Sequence, residues 1–130
     1  MASEDQNKAT FLALFEALKA RDSQAMAAQM TDRPNWIVWG NELPGIDGII
    51  EILKAASGYY RPETIVQDLK GLWCDGDTVI ARMTMTAKTT TNEDYANEYI
   101  WIAQFENDKI AEVREYLDLR IIEKLFGRWS

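Results

Sequence analysis

Residues 109–125 read KIAEVREYLDLRIIEKL, and the reading of this stretch decides the fold. Its first half alternates with a period of two, as a strand with one buried face does. Val113, Glu115 and Leu117 then share one face, while Glu112, Arg114, Tyr116 and Asp118 share the other. A carboxylate, Glu115, is thereby set between two core positions. The second half changes period: Ile121, Ile122 and Leu125 fall at helical spacing, and Asp118 is placed to cap that turn. A strand over Lys109–Leu117 that leads into a short closing helix, with one acid turned inward, is the frame to be completed.

Working back from it, Asn107-Asp108 reads as a turn from a long strand over Tyr95–Glu106. The polar link KTTTNED (88–94) joins that strand to another over Thr78–Thr89, whose Val79, Ala81, Met83, Met85 and Ala87 lie on one side. DGD (75–77) marks a hairpin to a strand over Thr64–Trp73. Before Pro62 the period is helical. Ser3 with Gln6 forms a capping-box pattern ahead of Phe11, Leu14, Phe15 and Leu18, so a first helix ends near Arg21. A second helix starts at Asp22 or Ser23 and carries Met26 and Met30; a short strand, Trp36 to Trp39, follows, introduced by Pro34. NELPG (41–45) breaks it, and Ile49, Ile50 and Leu53 give a third helix that stops at Ser57-Gly58. Helices followed by an antiparallel meander, without a linker or repeat, predict a single α+β domain over residues 1–130.

Composition narrows the function classes. The 130 residues are 47% apolar and 11% aromatic, enough for a real core, and the net charge is −7. Scattered basic residues on an acidic chain exclude nucleic acid and an anionic membrane surface as partners. One cysteine, Cys74, and a polar, acidic start, MASEDQNKAT, point to the cytoplasm. There is no histidine, no cysteine cluster and no glycine-rich phosphate loop, so the expectation is no metal and no cofactor. Acid–base chemistry must then use Asp, Glu, Tyr or Lys.

The order of elements, KIAEVREYLDLRIIEKL (109–125) and GIDGIIEIL (45–53) resemble the SnoaL-like, limonene-epoxide-hydrolase-like branch of the NTF2-like superfamily. The resemblance implies a cone, in which a curved antiparallel sheet wraps around the N-terminal helices and encloses a deep apolar pocket. It implies that Glu115 stands where relatives keep their general base. WGNELP (39–44) is similar to the stretch in which the epoxide hydrolases hold their attacking water: Asn41 matches the water-binding Asn, and Trp39 replaces a Tyr. An indole donates one hydrogen bond and accepts none. The middle-strand acid of those hydrolases falls on Thr84 or Met85 of ARMTMTA (81–87), so epoxide hydrolysis is disfavoured. The first-helix tyrosine of the ketosteroid isomerases falls near Leu14 or Phe15.

The expected function is a polyketide-cyclase-like, cofactor-free lyase or isomerase for an apolar carbonyl or cyclic substrate. Glu115 and Asn41 are its catalytic candidates, and Trp36, Trp39, Met83, Met85, Tyr99 and Trp101 its substrate-binding ones. The resemblance further implies a homodimer through the outer sheet face, where Ile100 and Ile102 lie. Two rival readings differ in what they require. A binding protein for a small apolar or cationic ligand would, for a cation, turn ring faces toward a point beside Glu115. A dimeric interaction module would have a filled interior and an exposed apolar sheet face.

Overall fold

The computed structural model describes residues 3–127. Helix α1 (Glu4–Ala20) begins where Ser3 Oγ accepts the Gln6 backbone N–H at 3.1 Å and ends at Arg21, whose φ of 57° is left-handed. Helix α2 (Ser23–Ala28) is capped by Asp22. Strands β1 (Met30–Val38) and β2 (Asn41–Pro44) form a hairpin, followed by helix α3 (Ile46–Ser57). Then come β3 (Val66–Asp75), β4 (Thr78–Lys88), β5 (Asp94–Glu106), β6 (Lys109–Leu117) and helix α4 (Leu119–Phe126).

The strands make one sheet in the order β2-β1-β6-β5-β4-β3. Every neighbouring pair is antiparallel except β1 with β6. The closing strand therefore lies between the first strand and the meander, which brings residues nearly 80 positions apart side by side. Register shifts in β1, in β3 and between β5 and β6 bend the sheet, as bulges do. On its concave side β4 buries Val79, Ala81, Met83, Met85 and Ala87, and β5 buries Tyr95, Asn97, Tyr99, Trp101, Ala103 and Phe105. Phe11, Leu14 and Phe15 of α1 are buried against this face. The Arg82 guanidinium pairs with Glu98 at 2.9 Å on the outer side, and Asp118 caps α4 by accepting the Arg120 backbone N–H.

Two sequence expectations need correction. The first strand is longer than Trp36–Trp39: it starts at Met30, and Pro34 sits inside it, where the shifted register between Met30 and Asn35 leaves room for a residue that cannot donate. NELPG does not merely break the chain. Its first four residues form β2, and the loop that turns the chain is Trp39-Gly40, between the paired Val38 and Asn41. Both loop residues have positive φ, 50° and 82°, as a tight two-residue hairpin requires. Gly40 adopts this freely. Trp39 does so at a steric cost, offset by its indole N–H donating to Leu117 O at 3.0 Å and by an edge-on contact with Tyr116.

Candidate functional site

α1 fills only part of the concave face. The remainder is a cavity of about 600 Å³, walled by Met83, Met85, Tyr99 and Trp101 from the sheet and by Ile50 and Leu53 from α3. Ile49 is the one fully buried residue of α3; Ile50 and Leu53 pack against the core on one side and border this space on the other. The wall is mostly hydrocarbon and aromatic. Among the described residues Glu115 supplies its only acidic group.

Strand alternation turns Glu115 inward between Val113 and Leu117, and the sheet order places an indole on each side of it. Trp36, on β1, donates its Nε1–H to Glu115 Oε1 at 3.0 Å. Trp101, on β5, is the cross-strand partner of Glu115. Its buried indole N–H has no partner in hydrogen-bonding geometry among the described residues, yet lies close enough to favour the carboxylate's charge. The two indoles meet at 76° with centroids 6.0 Å apart, and Phe11 and Phe15 of α1 hold Trp101 in place. Burial nevertheless dominates: it pushes the Glu115 carboxyl up from its ordinary 4.5 to about 7, against the lowering effect of the Trp36 and Trp101 N–H groups.

A second polar group faces the same space. Tyr99 pairs with Leu117, so it stands diagonally across from Glu115 on one face of the sheet. Its hydroxyl is hydrogen-bonded to that of Tyr95, with Met85 Sδ at 4.0 Å on the other side. The Asn97 side-chain amide donates to Tyr95 Oη at 3.0 Å and to Asp118 O at 3.1 Å, and its Oδ1 accepts the Asp118 and Glu98 backbone N–H groups. The amide is therefore fixed in orientation. The chain Asn97 to Tyr95 to Tyr99 can align so that the last proton points into the cavity. Burial first, and the Tyr95 hydroxyl next, hold Tyr99 far above the usual phenol range, so it is a donor at any working pH.

Of the residues singled out from the sequence, the structure brings Glu115, Trp36, Met83, Met85, Tyr99 and Trp101 together around the cavity. Two it does not. Trp39 is 46% exposed, turned outward by the hairpin, and its one donor is used on Leu117 O. Asn41 is exposed at the start of β2, where its amide donates to Val38 O within the turn. Neither lines the cavity. Tyr95 and Asn97 were missed. Their signal was available in the alternation of Tyr95, Asn97, Tyr99 and Trp101 on one face of β5, where an inward Asn is as conspicuous as an inward Glu. Among the described residues no group of His, Cys, Asp or Glu is placed to hold a metal ion, and no helix is long and apolar enough to cross a membrane.

A family model described as the SnoaL-like domain matches residues 11–113. Several solved structures share the fold. A candidate SnoaL-like polyketide cyclase from Jannaschia sp. CCS1 is 18% identical, with a TM-score of 0.86 over 100% of this chain and 99% of its own. TerC, crystallised with polyporic acid, is 15% identical, with a TM-score of 0.82 over 95% of this chain and 99% of its own. A candidate isomerase from Bacillus subtilis is 16% identical, with a TM-score of 0.76 over 98% and 99%. No curated protein matches the sequence.

Proposed function

Because the chain belongs to the SnoaL-like domain family, we propose that it is a cofactor-independent enzyme that moves a proton on a small, largely apolar carbonyl compound. The observation that carries this reading is Glu115: a carboxylate in an apolar cavity, gripped by an indole, with its pKa raised to about 7. A base of that strength is half ionised at neutral pH and can both take and return a proton. Glu115 removes a proton from the carbon next to the substrate carbonyl, and the electron pair moves onto the carbonyl oxygen. Tyr99, backed by Tyr95 and Asn97, donates to that oxygen as its charge grows. The enolate then takes the proton back from Glu115 at another carbon, an isomerisation. Alternatively its carbon attacks a second carbonyl, whose oxygen receives the proton, an aldol-type cyclisation. The cyclase and isomerase descriptions of similar folds, and the organic ligand crystallised with TerC, agree with this class of substrate.

A cation-binding cage is less well supported. Trp36 presents an N–H edge, not a ring face, to the carboxylate. Neither is the interior filled, as a pure interaction module would require. The outer face does carry an apolar row, exposed Trp73 and Ile80 beside half-buried Ile102, that pairs across three strands. A homodimer would form there, and sedimentation of wild type against Ile80→Glu tests it: loss of a dimer on substitution supports the face, and a monomeric wild type rejects it.

Two measurements test the chemistry. Tryptophan fluorescence followed against pH should titrate near pH 7, because Trp36 touches the ionising group, and the transition should vanish in Glu115→Gln. A midpoint near 4.5 would remove the base. Exchange of the α-protons of 2-tetralone in D₂O, followed by NMR, should be accelerated by the wild type and slowed about 10²-fold or more in Glu115→Gln. Tyr99→Phe should slow it by about 10²-fold. Wild-type exchange at the buffer rate would leave the cavity as a binding site without turnover.

A further inference from the structure

The cavity carries charge that a proton transfer does not need. The chain has 21 acidic residues against 14 basic ones, so an average opening on it would be acidic. Around this cavity the balance is reversed: among the described residues Lys19, Arg21 and Lys54 line it, and Glu115 is the sole acid. All three cations are exposed, whereas Glu115 lies inside among Trp36 and Trp101, which are 1% and 4% exposed. The charges are thus sorted, with one carboxylate inside and three cations toward solvent.

These cations have little else to do. Among the described residues, the ion pairs do not include Arg21 or Lys54. Lys19 has only Glu16 at 3.7 Å, an exposed contact of small worth, and lies over the Phe15 ring. A basic residue in the last turn of a helix is favoured by the helix dipole, which explains a lysine at the end of α1 and another at the end of α3. It does not explain why the fold brings both helix ends to one opening, nor Arg21 beyond the first of them.

We propose that the ligand of this cavity is an organic anion, with an apolar body seated against Met83, Met85 and Ile50 and a carboxylate or phosphate held at the mouth by Arg21, Lys54 and Lys19. The proposal rests on the reading of the cavity as a ligand site and deepens it by fixing orientation. The anionic end stays outside, away from the Glu115 carboxylate, and the reacting carbon enters first. The rim also attracts such a ligand from solution although the protein as a whole repels it.

Three matched probes separate the possibilities: 2-naphthoate, 2-naphthyl phosphate and the neutral 2-naphthamide, titrated into the full chain at low salt by calorimetry. Either anion is expected to bind at least tenfold more tightly than the amide, and the tighter of the two identifies the group the rim prefers. In the double variant Arg21→Asn, Lys54→Gln that advantage should fall to within about threefold, with amide binding unchanged. Asn tolerates the left-handed backbone at position 21 and Gln keeps the helix, so the variant should fold, as circular dichroism will check. Equal binding of anion and amide, or an advantage that survives in the variant, overturns the anion proposal and leaves the cavity as a ligand site. Failure of all three probes to bind overturns both.

Discussion

The concave face of the sheet is used in two ways. Under α1 it is solid: Val79, Ala81, Ala103 and Val113 are small or branched, fully buried, and met by Phe11 and Leu14, which have no exposed surface. Toward the other end the same strands carry Met83, Met85, Tyr99, Trp101 and Glu115, which line the hollow; α1 touches this set through Phe11 and Phe15 against Trp101. α3 stands across the gap as a wall. The contrast teaches that the hollow is built by side chains and helix placement, not by a change in the sheet. It also shows why the polar residues sit where they do. Glu115, Tyr99 and Asn97 would be costly in the solid half, where nothing could answer them.

Three tests strain this contrast, in falling order of effect. Leu14→Ala in the solid half should cost about 2–5 kcal/mol by urea unfolding, since it leaves a void that neighbours cannot close. Ile50→Ala, whose side chain faces the hollow, should cost about 1 kcal/mol or less. Equal losses would mean that the cavity closes in solution.

The second concerns Glu115 and pH. Its carboxyl titrates at 4.5 ordinarily and at about 7 in the fold, so the folded chain holds the extra proton between these values. Stability therefore falls as pH rises from 4.5 through 7, and the full cost, on the order of 3 kcal/mol, is present above pH 7. Glu115→Gln removes the charge and keeps an acceptor for Trp36. It should leave stability at pH 4 unchanged and raise it at pH 8 by up to about that amount. A variant that is less stable than wild type at pH 8 would contradict the burial.

The third fills the space. Leu53→Trp places a larger ring in the hollow from α3. Stability should change by no more than about 1 kcal/mol, where a packed site would lose about 1–3, and binding of 2-naphthoate should be lost.

Much of this was legible in the sequence because period and burial coincide. Strands β4 and β5 alternate cleanly, as does β6 around Val113, Glu115 and Leu117, and the Asn107-Asp108 turn and the Ser3, Asp22 and Asp118 caps stand where their side chains predict. β2 was not legible. Asn41 and Pro44 are turn residues by chemistry, and only pairing with β1 makes strand residues of them. Trp39 misled for a related reason. It extends the alternation that starts at Trp36, yet the loop that closes the hairpin takes the residue itself and rotates its ring out to Tyr116.

The sequence by itself determined that Glu115 faces inward, since a strand with Val113 and Leu117 in the core cannot turn the residue between them outward. It also determined that Tyr99 and Trp101 share one face. Only the tertiary structure decided what they face. β6 lies between β1 and β5, which puts Trp36 and Trp101 on either side of one carboxylate; α1 stops short of that end, and two basic helix ends meet at the mouth. Periodicity is local and survives in the one-dimensional chain. A cavity is an absence of neighbours, and it exists only once every distant segment has taken its place.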